Sequence, residues 1–335
     1  MKSESSPRRY GITIGVIVIV VILLAVLLDL EKVWKDLKGI DWWEMLVASM
    51  FLLVGYVLVS VLWRYILANR PNFLTTFHTD SISFMITILS PVPAVALRVV
   101  SISRTTPVNY TEAIPGMAVD RSIGLVIRII LLAATILMAT SRSLSILTIV
   151  MFVVLTGLFL GVILWIAHHA KKITNWISGL LARLPRISEE QAENTLSGLV
   201  EGISSFGSSR RLLVILFLSF FMFVFFLIFQ YLGWQAMDVR LSQGEMLTLA
   251  MAVLVVAPPS APSMPVVYQG VVIGILALLG ITNVETIAAY AIAVWLVQLI
   301  CLLGLGIWGL NRTDLKLKEL VGEAQGLLGV KKSEA

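Results

Sequence analysis

The chain has 335 residues, of which 58% are hydrophobic and only 13% charged, with a formal net charge of +5. A soluble domain carries about 25% charged residues because its surface must stay wet, so this balance excludes a soluble enzyme and describes an integral membrane protein with lipid as its solvent. At about 20 residues per helical span there is room for roughly six to nine crossings in one transmembrane domain covering 1–335, and none for a separate soluble domain.

In chain order, the first element is an apolar run over 11–29 preceded by Arg8 and Arg9. It resembles a signal peptide but lacks a small-x-small cleavage site, which predicts an uncleaved anchor helix. Residues 31–43 place Val33, Trp34, Leu37 and Ile40 on one stripe, with Trp42 and Trp43 as aromatic anchors at the membrane surface. Full spans follow at 44–68, 117–140, 144–168, 211–233 and 284–310, giving about six with the anchor. The 169–211 loop is basic and polar, and its 188–207 stretch reads as a connecting helix. A tail over 311–335 carries a second amphipathic stripe through Leu317, Leu320, Val321, Ala324, Leu327 and Leu328.

Two apolar regions do not fit a plain span. Residues 77–100 are interrupted by Pro91 and Pro93, and residues 242–281 by Pro258, Pro259, Pro262 and Pro265. Proline lacks the N–H that a helix needs and clashes with the preceding turn. Backbone broken at membrane depth cannot face lipid, so its freed groups must meet protein, water or a bound polar ligand. Both regions therefore read as broken helices or re-entrant hairpins that leave and return on one side.

Charge placement sets the topology. Lys2, Arg8 and Arg9 at the N-terminus, Arg64, Arg70, Arg98 and Arg104 in 64–112, the basic 169–211 loop and the Lys-rich tail fall on one side if both broken regions return to their starting face. Cytoplasmic loops are the Lys/Arg-rich ones. Both termini are then cytoplasmic in the plasma membrane, and the two hairpins open to opposite faces, which suggests an inverted repeat. Basic residues distributed this way serve topology and anionic lipid, and exclude nucleic acid as a partner.

Charges inside spans mark function, because each costs at least ~2.5–3.5 kcal/mol at a helix centre unless paired or hydrated. Asp120 and Arg121 open the 117–140 span, and Arg128 lies two turns further on the face of Arg121. With Arg98 and Arg104 after the first break, four arginines and one aspartate can converge. The guanidinium fork binds phosphate bidentately and stays charged at any physiological pH, so these residues are candidates for holding an anionic lipid headgroup. The structural alternative pairs Asp120 with Arg121 or Arg98 as an interfacial ion pair while Arg128 snorkels. Tyr268 and Gln269, just past the last proline, can hydrogen-bond a headgroup or cap broken backbone, whereas Gln230 and Gln298 read as packing. His78, His168 and His169 have no carboxylate or cysteine spacing for a metal, and the lone Cys301 excludes a disulfide within the chain. No cofactor is expected.

Three stretches carry a resemblance. They are Leu89-Ser-Pro-Val-Pro-Ala-Val-Ala-Leu-Arg98, Ala118-Val-Asp-Arg-Ser-Ile-Gly124 and Pro259-Ser-Ala-Pro-Ser-Met-Pro-Val-Val-Tyr-Gln-Gly270. Over most of its length the chain resembles the flippase-like transmembrane family shared with the membrane part of lysylphosphatidylglycerol synthases. It keeps Arg98, Asp120, Arg121, Pro259, Pro262 and Gln269 of that pattern. The glycine and acidic positions before Arg98 are Ala and Leu here, and Ser263 and Pro265 stand where the third motif has glycines. The resemblance implies movement of an anionic phospholipid or a polyprenyl-phosphate-linked glycolipid, without the synthases' soluble aminoacyl-transferase domain. Two other readings stay open: a membrane glycosyl- or phosphotransferase acting on lipid, and a non-catalytic subunit that docks a soluble or membrane partner enzyme.

Overall fold

The computed structural model describes residues 29–90, 92–140 and 209–327. The expected anchor before Asp29, the 144–168 span, nearly all of the 169–211 loop with its connecting helix, Pro91 and the end of the tail lie outside those residues. The described residues form ten helices and no strand.

In chain order the helices are α1 Leu30–Lys38, α2 Trp42–Ile66, α3 Phe73–Leu89, α4 Ala94–Thr105, α5 Tyr110–Thr140, α6 Ser209–Gln235, α7 Gln243–Val256, α8 Pro265–Leu279, α9 Val284–Leu310 and α10 Leu317–Leu327. Helices α2, α6 and α9 are long and apolar enough to cross a membrane. At 1.5 Å per residue, 25 residues reach about 37 Å, against a hydrocarbon core of about 30 Å.

Both interrupted regions leave the helix at Pro93 and at Pro258, Pro259 and Pro262, and Pro265 is the first residue of the helix that follows. Helix α3 ends at Leu89 and α4 restarts at Ala94, with Ser90 and Pro93 extended between them. Helix α7 ends at Val256 and α8 restarts at Pro265. The eight-residue second break is held by a turn from Ala261 N–H to Pro258 O and by Trp295 of α9, whose indole N–H donates to Ser263 O at 3.4 Å. Three of the four arms, at 12, 14 and 15 residues, are too short to cross a bilayer as one straight helix, and α3, at 17, is at the lower limit.

Side-chain caps mark where the chain turns at its ends. Asp29, Asp41, Asn72, Ser242 and Asn283 cap α1, α2, α3, α7 and α9 by accepting from the first backbone amides. Helices α4 and α8, which begin at the breaks, have no side-chain cap.

The packing follows a pattern of exchange. Helix α2 lies against α6 along its length. The two run antiparallel, because Asp41 N–H donates to Ala236 O at one end and Arg211 donates to Tyr65 O and Ile66 O at the other. The hairpin α3–α4 begins and ends at the Ile66 end, where Arg70 pairs with Glu112 at the start of α5. The hairpin α7–α8 begins and ends at the opposite end, where Lys32 and Asp36 of α1 meet Glu285 and Thr286 at the start of α9. Helix α9 packs on α3, and α5 packs on α7, so each half places its last long helix on the first arm of the other half's hairpin.

Glycine permits the closest helix contacts. A Cβ on Gly55 of α2 would enter the ring of Phe226 of α6, and one on Gly309 of α9 would lie 2.9 Å from the backbone oxygen of His78 on α3. Two expectations shift. The stripe over 31–43 is two elements, since the chain breaks at Gly39 and Asp41 starts α2, with Trp42 and Trp43 in its first turn. The tail helix starts at Leu317; Leu320 and Ala324 are fully buried against α3 and α4 while Leu317 and Leu327 stay exposed, so the middle of this stripe covers protein.

Candidate functional site

At the centre of the first half lies an ion-paired cluster. Arg98 of α4 is 1% exposed. Its Nε donates to Asp80 Oδ1 at 2.8 Å and its Nη2 to Asp80 Oδ2 at 3.2 Å. Ser60 of α2 also donates to Asp80, at 2.9 Å. The third edge of the guanidinium reaches Asp120 of α5, Nη1 to Oδ2, at 3.3 Å. Its faces lie near Trp63 at 4.9 Å and Phe84 at 5.4 Å, so cation–π attraction adds to the pairing.

Burying a charge among apolar helices is costly, and pairing it with good geometry is what offsets the cost. Asp80 does most of this, with both oxygens engaged and almost no exposure. Asp120 is 15% exposed and held by one longer contact. Arg98 thus ties α3, α4 and α5 together and has no nitrogen left without a carboxylate. Asp80 carries no role in the sequence reading, which names Asp120 as the one aspartate of the cluster. The signal was present: a single carboxylate in an apolar, Ser/Thr-laced stretch requires a buried cation.

Beside this cluster sits a small cavity lined by Val59, Asp120, Arg121, Gly124, Arg128, Met222, Phe223, Pro258 and Ser260, with Arg98 at its wall. It measures ≈ 20 Å³, space for about one water molecule. Among the described residues Arg121 makes no ion pair, and its Nε is buried without a hydrogen-bond partner. Arg128 donates from Nε to Gly124 O at 3.1 Å, one turn back on its own helix, and makes no ion pair with a described residue. Two guanidinium groups without a carboxylate partner among the described residues therefore share one cavity with the proline-rich second break.

The remaining candidates lie elsewhere. Arg104, at the end of α4, faces α10, where it donates to Glu319 Oε2 at 2.7 Å and forks onto Glu323. Those hydrogen bonds hold the exposed Glu319 carboxyl below its ordinary value. Tyr268 is fully buried in α8 beside Gln230 and Gln298, and Gln269 is half-buried with its Oε1 unpartnered. Pro259 and Pro262 are buried, Pro265 opens α8 at half exposure, and Pro93 is exposed in the first break. Among the described residues no group of three or more His, Cys, Asp or Glu could hold a metal.

The lysylphosphatidylglycerol synthase transmembrane region matches as a family over residues 12–306. The chain belongs to this family. No curated protein and no solved structure matches it. The match spans the long helices, both hairpins and every residue of the Arg98 cluster and its cavity, and it ends within α9, before α10. As a member of this family the protein is a multi-pass membrane protein.

Proposed function

We propose that this family member carries an anionic lipid across the plasma membrane, with Arg121 and Arg128 gripping the phosphate and the acyl chains left in the bilayer. The observation that carries the reading is the pair of guanidinium groups without carboxylate partners among the described residues, lining one cavity with the broken backbone at Pro258 and Ser260. Isolated charge at this depth is expensive, and a phosphate oxygen pair is the natural counter-ion for such forks. Arg98, saturated by Asp80 and Asp120, positions α5 and does not itself bind cargo.

In this reading the hairpins are re-entrant from opposite faces, as parts of an inverted repeat of α2–α5 and α6–α9, with both chain termini cytoplasmic. Supporting it are the antiparallel α2–α6 pair, the exchanged packing of α9 on α3 and α5 on α7, and the return of each hairpin to its own end. Half-helices meeting near the midplane are the arrangement by which transporters alternate access around one site. The cavity of ≈ 20 Å³ is too small for a headgroup, so the second hairpin must move from α5 to admit cargo. The protein acts as a carrier whose partners are membrane lipids, not as a transferase.

The experiment is headgroup movement in proteoliposomes containing fluorescent phosphatidylglycerol. Arg121→Ala and Arg128→Ala each lower the rate at least tenfold while leaving the protein folded. Unchanged movement in the double variant removes the assignment.

A further inference from the structure

A second cleft opens at the Ile66 end of the bundle, between the start of α3, the end of α4 and the turn that joins α9 to α10. Its volume is ≈ 620 Å³, within the range of about 300–1,000 Å³ usual for small-molecule sites. It shares no lining residue with the arginine cavity. The turn is built on backbone hydrogen bonds, from Arg312 N–H to Gly309 O at 3.1 Å and from Thr313 N–H to Leu310 O at 3.4 Å. Residues 312–315 form one wall of the cleft and lie beyond the stretch that matches the family, so the match does not account for them.

The charges at this wall are balanced but not all paired. Arg312 and Asp314, two residues apart in the turn, are both exposed, and neither makes an ion pair with the other or with any described residue. Arg104 gives three of its five N–H groups to Glu319 and Glu323, which leaves two. Lys316 pairs with Glu319. Three cations, Arg104, Arg312 and Lys316, thus stand with three carboxylates, Asp314, Glu319 and Glu323. A ligand of one sign meets repulsion as well as attraction here, whereas a molecule carrying both signs meets a counter-charge at each pole.

His78 adds an imidazole without a partner. Its ring is 8% exposed, Trp308 holds it edge-on at 4.8 Å, and its Nε2 is buried with no hydrogen bond. Buried polar groups are almost always paired. Arg312 lies within electrostatic reach of this ring, and Thr75, three residues earlier on the same face of α3, also lines the cleft. The Thr105 and Thr313 hydroxyls donate back to Ser101 O and Gly309 O, so towards the cleft their oxygens accept. The donors are therefore Arg312, the spare Arg104 N–H groups, Thr75 and the imidazole. Donors in this number suit a phosphate, whose oxygens take several charge-assisted hydrogen bonds. A lone carboxylate beside hydroxyl oxygens suits an ammonium group, which only donates.

We propose that this cleft binds a phosphoethanolamine-type zwitterion, its phosphate held by Arg312, Thr75 and His78 and its ammonium by Asp314. The site lies apart from the arginine cavity and does not depend on the carrier reading. Because Arg104 both borders the cleft and holds α10, an occupant braces the α9–α10 turn against the first hairpin. The same chemical group occurs free in solution and as a lipid headgroup.

The test is calorimetric titration of the full chain in nanodiscs of phosphatidylcholine, whose trimethylammonium has no N–H to donate. The probes are O-phosphoethanolamine, inorganic phosphate and ethanolamine. Phosphoethanolamine binds at least about tenfold more tightly than either of the others, the worth of one charge-assisted hydrogen bond. Arg312→Ala lowers that affinity by at least about tenfold on the same basis. Asp314→Asn brings phosphoethanolamine down to the affinity of phosphate and leaves phosphate itself unchanged. Both side chains are exposed in a turn, so neither substitution removes a buried contact. Discs that also contain phosphatidylethanolamine identify the source: weakened binding of the soluble probe shows that the headgroup competes for the site, and undiminished binding shows that a free solute fills it. Equal affinity for phosphate and phosphoethanolamine, binding that survives both substitutions, or no binding of phosphoethanolamine in phosphatidylcholine discs overturns the site.

Discussion

Replacing Asp80 by alanine leaves the Arg98 guanidinium 1% exposed and stripped of its two closest acceptors, at 2.8 and 3.2 Å. Removing one partner of a buried pair costs ~3–5 kcal/mol, because the other charge stays buried without compensation. Asp120 remains as a partial counter-ion at 3.3 Å, which places the expected loss near the lower end, about 3 kcal/mol. Arg98→Met costs a similar amount by leaving Asp80 buried beside Ser60. The double variant Asp80→Leu with Arg98→Met removes both buried charges and destabilises much less than the sum, so the coupling is at least about 2 kcal/mol. Equilibrium unfolding in mixed detergent–SDS micelles measures all three. Additivity within about 0.5 kcal/mol would refute the claim that this pair locks α3 to α4.

Asp120→Asn keeps a hydrogen-bond acceptor at a 15% exposed position and destabilises by no more than about 1 kcal/mol in the same unfolding assay. Gly309→Ala pushes a methyl against the His78 carbonyl, which cannot swing aside as a rotamer, and costs about 1–3 kcal/mol; Gly306→Ala meets only the flexible Met85 side chain and costs less, a ranking thermal unfolding can read. Arg104 holds α10 through Glu319 and Glu323. The Glu319 carboxyl lies below its ordinary 4.5, so docking of α10 is fully supported above that value and weakens as pH falls through the lowered one. The protection of residues 317–327 against hydrogen exchange, taken relative to the intrinsic rate at each pH, therefore falls under acid, and Arg104→Ala removes most of that pH dependence, leaving the Lys316–Glu319 pair.

What was legible in the sequence was what proline and charge dictate locally. Pro93 and the Pro258–Pro265 run mark the starts of α4 and α8 because clustered prolines break a helix, whereas α5 carries the lone Pro115 in its second turn. Arg121 and Arg128 line one cavity because seven residues make two helical turns. The sequence was silent where the third dimension decides. Asp80 and Arg98 are 18 residues apart across a break, and no periodicity links residues across an irregular turn. Arg104 is in the same helix as Arg98, but two turns nearer its end, so it reaches α10 and not the bundle centre. Gln230 and Gln298, read as packing residues, meet at Tyr268 only because α6, α8 and α9 converge there. The helix starts at Phe73 and Tyr110 were also hidden, since Asn72 and the turn after Thr105 sit in polar sequence that composition alone assigns to loops.

The central claim is that Arg121 and Arg128 face the second break in order to hold a phosphate. Cryo-electron microscopy of the protein in phosphatidylglycerol nanodiscs tests it directly. A lipid phosphate within hydrogen-bond distance of both guanidinium groups, with Pro258 and Ser260 drawn away from α5, is the result expected. An occluded cavity holding only water, with every bound lipid phosphate outside the bundle, would contradict it.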